Sequence, residues 1–221
     1  MDRDYFQLAH HDPDFLRAQW VGLVSRSASN LSLIESLFNS IVEHYSASER
    51  AYHNLSHIQS LLALSETLLE KVRNWDAVSF AIWFHDVIYD TKRSDNEEKS
   101  AEFAVEALAS LGVPEQTIAT VREMILATKD HRGADLSWDT KAFLDLDTSI
   151  LGAPEEIYKE YSRAIRKEYS WVPDFLYRKG RMKVLNDFLE REFIYYTEEI
   201  QAQYELQARR NIAEEIRALS G

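Results

Sequence analysis

Tyr52-His53-Asn54-Leu55-Ser56-His57 is followed, twenty-eight positions after its second histidine, by the dipeptide His85-Asp86. Three of the chain's seven histidines and an aspartate therefore fall in two short stretches. Asn54 suits a helix N-cap, which puts His57 in the first turn of a helix carrying Leu55, Ile58, Leu61, Leu62, Leu68 and Leu69. His53 and His57 are one helical turn apart and can share a cavity. His85 and Asp86 close a dense apolar run (Trp75, Val78, Phe80, Ala81, Phe84, Ile88), expected as a helix over 75–89 buried on most sides. On such a helix the two side chains diverge by about 100°. One ion can take both only if it lies between them, with the remaining ligands supplied by other helices.

The rest of the chain reads as helical scaffold. Residues 14–25 and 31–45 are amphipathic, with Leu33, Leu37, Ile41 and Tyr45 at helical spacing. A helix over Glu97–Leu111 ends at Gly112, and Pro114 opens the next, which runs to about Ala127. A loop with Gly133 spans His131–Ser137, and a helix from about Asp139 to Ile150 stops at Gly152. Pro154 begins a helix reaching Tyr169. Pro173 restarts the pattern, with Gly180 inside or beside that helix. From Met182 onward the sequence predicts helix almost without interruption, bent near Arg191. With few Gly and Pro and no repeat or linker, the expectation is an all-α fold forming one domain over 1–221. Its metal-site core lies at about 50–150, and the helices of 154–221 complete the pocket.

The 221 residues carry a formal charge of −12, and none is cysteine. Thiolate chemistry and thiolate-bound zinc are excluded. The acidic balance opposes binding of long nucleic acid, which depends on Lys and Arg neutralising phosphates. No apolar run approaches the roughly 20 residues that span a bilayer, and the first residues lack the apolar core of a secretory signal. A cytoplasmic protein without membrane contact is expected, and a homodimer is compatible with the sequence. Positive charge concentrates in one window: Arg163, Arg166, Lys167, Arg178, Lys179, Arg181 and Lys183.

The best further ligands are His57, from the helix before the dipeptide, and Asp147, from Leu144-Asp145-Leu146-Asp147, with Asp145 its competitor. Two imidazoles and two carboxylates (His57, His85, Asp86, Asp147) leave positions for water on a six-coordinate ion, and Mn, Mg, Fe or Zn all suit that set. His131 could bind phosphate or a second metal, or be a solvated loop residue. Glu97 could hold the attacking water, or simply be an acid favoured at a helix start. Arg166 and Arg181 could clamp a phosphate bidentately, or be surface ion pairs.

The pattern His57, His85-Asp86, Asp147 in an all-helical chain resembles the HD-domain metal-dependent phosphohydrolases. More narrowly, it resembles a bacterial family of predicted metal-dependent HD phosphohydrolases. Tyr52-His53-Asn54, His57-Ile58 and Trp83 to Asp90 carry that narrower likeness. So do Asp95 to Glu98, Ser100-Ala101, Asp147 to Gly152, Ile165-Arg166, Glu168-Tyr169 and Gly180-Arg181. The Tyr-His-Asn-x-x-His element is also similar to the opening motif of cyclic-nucleotide phosphodiesterases, in which the first histidine protonates the leaving oxygen and the second binds metal. That likeness implies His53 as general acid, the alternative being an orienting group behind the ligands. The Glu-Asp pair that trails the dipeptide in alarmone hydrolases is replaced here by Val87-Ile88-Tyr89-Asp90.

The resemblance implies a hydrolase acting through a metal-activated water on a small phosphorylated metabolite, with a nucleotide among the candidates. Asp86 and Glu97 would serve the reaction beside His53. A catalytically silent nucleotide-binding module is the alternative. A di-iron oxygenase is a more distant one, since such HD proteins need further histidines and only His131 stands between the dipeptide and Asp147.

Overall fold

The computed structural model describes residues 6, 8, 10–132 and 135–221, and among these every regular element is a helix. The α-helices are α1 (Pro13–Val24), α2 (Leu31–Tyr45), α3 (Leu55–Ser65), α4 (Trp75–Phe84), α5 (Asn96–Ser110), α6 (Glu115–Ala127), α7 (Trp138–Thr148), α8 (Glu155–Glu168), α9 (Asp174–Leu189) and α10 (Glu198–Ser220). Short 3-10 helices follow α3 at Glu66–Leu68 and α7 at Ser149–Gly152. Gly133 lies outside the described residues.

Helix starts are marked chemically. The side chains of Asp12, Asn30, Asn54, Asn74 and Ser137 each accept a backbone N–H from the first turn that follows, satisfying donors that have no partner within the helix. Pro13 sits in the first turn of α1, and Pro114, Pro154 and Pro173 stand immediately before α6, α8 and α9. Gly112, at φ 72°, ends α5 in the left-handed region, where a side chain would be strained.

Helix α4 is the axis of the core. Every residue from Ala77 to Phe84 is buried, and α3, α5, α6 and α7 pack around it. Trp83 meets Trp20 and Phe38 edge-on, with ring centroids 5.6 and 6.2 Å apart. This enclosure fixes the end of α4, and with it His85.

Two predicted boundaries are corrected. Helix α4 stops at Phe84, so His85 caps it and Asp86 lies in the turn beyond instead of on a helix reaching residue 89. The turn is held from outside. Arg50 donates to the carbonyls of Asp86 and Val87, Tyr45 Oη accepts from Asp86 N–H, and Ser100 Oγ bonds both N–H and C=O of Ile88. The stretch from Met182 onward is likewise broken, not bent: α9 ends at Leu189 and α10 begins at Glu198. Side chains take the backbone groups a helix would have used. Glu205 accepts from Ile194 and Tyr195 N–H, Asp145 accepts from Tyr196 and Thr197 N–H, and Arg209 donates to the carbonyls of Leu189, Arg191 and Glu192.

Helix α10 packs closely on the 3-10 turn Ser149–Gly152, and Asn211 donates to the carbonyls of Leu151 and Ala153. A methyl group on Gly152 would lie 2.5 Å from Tyr204 Cβ and 2.8 Å from its carbonyl oxygen. Gly152→Ala is therefore expected to destabilise the protein by about 1–3 kcal/mol, the usual cost of overpacking. Gly180→Ala, whose methyl meets nothing within 4 Å, should be neutral or mildly stabilising. Urea unfolding of both variants checks this, and an unchanged midpoint for Gly152→Ala would refute the close approach.

Candidate metal centre

Three helix ends meet beside the core: the first turn of α3, the last of α4 and the last of α7. They bring together His57 Nε2, His85 Nε2 and Asp147 Oδ1, each 3.3 Å from the other two. Donor atoms bonded to one ion at about 2.1 Å lie roughly 3.0–3.4 Å from one another in octahedral or tetrahedral arrangements, so the triangle has the right size. Its edges are slightly long for N–H···O hydrogen bonds. The ring of His85 is also set for ligation. Nδ1 lies 3.0 Å from the carbonyl of Ile82. A carbonyl can only accept, so Nδ1 carries a proton. Asp86 and Asp147 also raise the imidazole pKa of His85 well above its ordinary value against its burial, so an ion would take the place of the proton on Nε2.

The charge state suits a cation. Burial holds the pKa of His57 below the ordinary imidazole value despite the opposing Asp147. Asp147 is half-buried, and desolvation would raise its carboxyl, yet His85, His131 and His57 hold it well below the usual range. Asp86 Oδ2 is 3.2 Å from His85 Nε2 and 4.0 Å from His53 Nε2. Its carboxyl is likewise ionised against burial by these histidines. It joins the cluster through His85, outside the tight group of three.

His131 Nε2 lies 2.8 Å from Asp147 Oδ2, the oxygen turned away from the triangle. The His131 backbone has φ 49°, and its carbonyl accepts from Arg191 and from Tyr196 Oη. It is a held residue that orients Asp147, not a solvated loop histidine.

His53 is fixed by Glu168, a residue to which the sequence reading gave no chemical role. Glu168 is buried at the end of α8. Its Oε1 accepts from the N–H groups of Tyr52 and His53, and its Oε2 from His53 Nδ1 (2.7 Å) and Tyr89 Oη (2.8 Å). Burial would raise its pKa, but His53 and the two N–H groups bring it down to about 2. In turn Glu168, with Asp86 and Asp147, overcomes the burial of His53 and raises the imidazole pKa. The Tyr89 ring lies against His53, with centroids 4.4 Å apart and planes tilted by 32°. Arg50, also unassigned from sequence, donates to the carbonyls of His53 and Asp86 and so ties the two motifs together.

The other predicted residues divide. Asp145 turns away from the cluster to hold Tyr196 and Thr197, and burial pushes its carboxyl up to about 6. Asp147 is therefore the carboxylate that faces the histidines. Glu97 lies in the first turn of α5 and is not among the clustered donors. Arg166 donates to the carbonyls of Tyr169 and Val172 and lies over the Tyr177 ring, holding the turn between α8 and α9. Arg181 is half-buried, and its guanidinium bonds Glu215 through Nε and Nη2 and Tyr161 Oη through Nη1. Three cations of the basic window are thus paired within the chain: Arg166 and Arg178 face Asp174, and Arg181 faces Glu215.

A cavity of about 610 Å³ opens beside the cluster. His53, His131 and Asp147 line it, together with residues of α8, α9 and the turn between them. Among the described residues no helix is long and apolar enough to cross a membrane. Comparison of the chain with protein-family models, curated proteins and solved structures returns no match.

Proposed function

We propose that this chain is a metal-dependent phosphohydrolase of the HD-domain type, acting on a small phosphorylated metabolite. The observation that carries this reading is the triangle of His57, His85 and Asp147 donors, whose Asp147 lines a cavity that also has His53 in its wall. His57, His85 and Asp147 would hold a divalent ion (Mn, Mg, Fe or Zn), with Asp86 adjacent. When bound, such an ion polarises a phosphoryl oxygen and makes a water molecule acidic enough to attack at neutral pH.

The chain's own residues supply the rest. Glu168 keeps the proton on His53 Nδ1 and favours the imidazolium, leaving Nε2–H free to donate to the departing alkoxide. His131 and the proton on His85 Nδ1 fix the orientation of Asp147 and His85, so ligand geometry need not reorganise during reaction. Asp86, facing both His85 and His53, holds negative charge where the two histidines meet.

Release of inorganic phosphate from a panel of phosphomonoesters, nucleotides included, tests this with protein reconstituted in turn with each of the four metals. Turnover with at least one metal, removed by chelation and absent in His85→Ala, is expected. Stoichiometric metal without phosphate release from any ester would contradict it.

A further inference from the structure

Away from His53, His131 and Asp147, the cavity wall is largely apolar. Ile165 of α8 and Leu176, Val184, Leu185 and Phe188 of α9 supply aliphatic and aromatic wall. Trp171, Leu176 and Val184 leave large apolar side chains about half exposed at this cavity. A concentration of apolar surface around one pocket marks a binding site more often than chance exposure. Tyr177 lines the same wall. It is 8 % exposed, and its ring adds to the apolar wall.

The lining cations are already neutralised. Lys129 pairs with Glu98 and Arg181 with Glu215, while His53 pairs with Glu168. Little positive charge remains for a second or third phosphate.

Resting on the phosphohydrolase reading, we propose that the ligand is a phosphomonoester of a bulky, ring-bearing alcohol. Its single phosphoryl group lies at the His57–His85–Asp147 end and its apolar body against α8 and α9. Small polyol phosphates leave that wall uncovered and bind weakly.

Calorimetric titration of the Mn-loaded protein with two phosphonates, which no phosphatase hydrolyses, tests this apart from turnover. (1-Naphthylmethyl)phosphonate is expected to bind about 30-fold more tightly than methylphosphonate, the scale set by burying a fused ring. In the double variant Leu176→Asn, Val184→Asn the ratio should shrink to within about fivefold. Both side chains are half-exposed, so the fold should survive, and thermal unfolding verifies it. If the preference appears in wild type and falls in the variant while no ester is hydrolysed, the apolar subsite stands and the phosphohydrolase reading fails. If the phosphonates bind equally, or the preference survives in the variant, the inference is overturned even though esters are hydrolysed.

Discussion

Asp147→Ala is expected to lower kcat/KM for phosphate-ester hydrolysis by more than about a hundredfold, because loss even of groups behind the ligands costs 10–100-fold. Among the described residues, Asp147 is the carboxylate grouped with both His57 and His85, and it also receives His131. Removing it takes away the carboxylate shared by His57, His85 and His131 and leaves Asp86, which touches His85 alone of those three, so a divalent cation is held less strongly. Asp145→Ala provides the contrast. It removes the acceptor for Tyr196 and Thr197 N–H, so it should lower stability by about 1–3 kcal/mol, the cost of unsatisfied buried donors. Metal content of the folded fraction should be unchanged. Steady-state kinetics with metal analysis on both variants distinguishes them. Full activity in Asp147→Ala would remove this residue from the site.

Glu168→Gln should lower kcat by about 10–100-fold, the range for partners that orient reacting groups, with metal content unaltered. The pH profile gives the sign. His53 acts while protonated, and Glu168 raises its pKa. Without that charge the pKa falls, so the alkaline limb of the kcat/KM profile moves to lower pH. Stability follows the carboxylate. The folded pKa of about 2 lies below the unfolded value, so the stabilisation is fully present above about pH 4.3 and is lost as pH falls toward 2. Its size is of the order of 3 kcal/mol. At pH 7 the variant should therefore be less stable than wild type, and the gap should narrow in acid. An unmoved alkaline limb would mean that Glu168 braces the fold without tuning His53.

What could be read from the residues was what acts locally. Asn54 as a cap, prolines ahead of α6, α8 and α9, and Gly112 after α5 are short-range signals, and those helices start or stop accordingly. The meeting of His57, His85 and Asp147 was expected from residue chemistry and from a family resemblance. What escaped was set by distant partners. Asp145 and Asp147 stand about 200° apart on one helix, so spacing alone could not say which faces inward. For Arg181 a phosphate clamp and an ion pair stayed equally open, because its partner Glu215 lies 34 positions further along the chain. The turn at His85-Asp86 depends on Arg50, Tyr45 and Ser100, none of them near in sequence. Glu168 did leave a signal. An acid in the last turn of a helix opposes the helix dipole and implies a partner elsewhere, here His53 and its neighbours.

The central claim is that His57, His85 and Asp147 bind one divalent ion. Mass-spectrometric metal analysis of untagged wild type and His85→Ala, purified without chelator and then offered Mn and Fe, tests it most directly. About one ion per chain in wild type and none in the variant is the predicted result. Equal metal in both proteins, or none in either after reconstitution, would contradict the account and leave the histidine cluster as core packing.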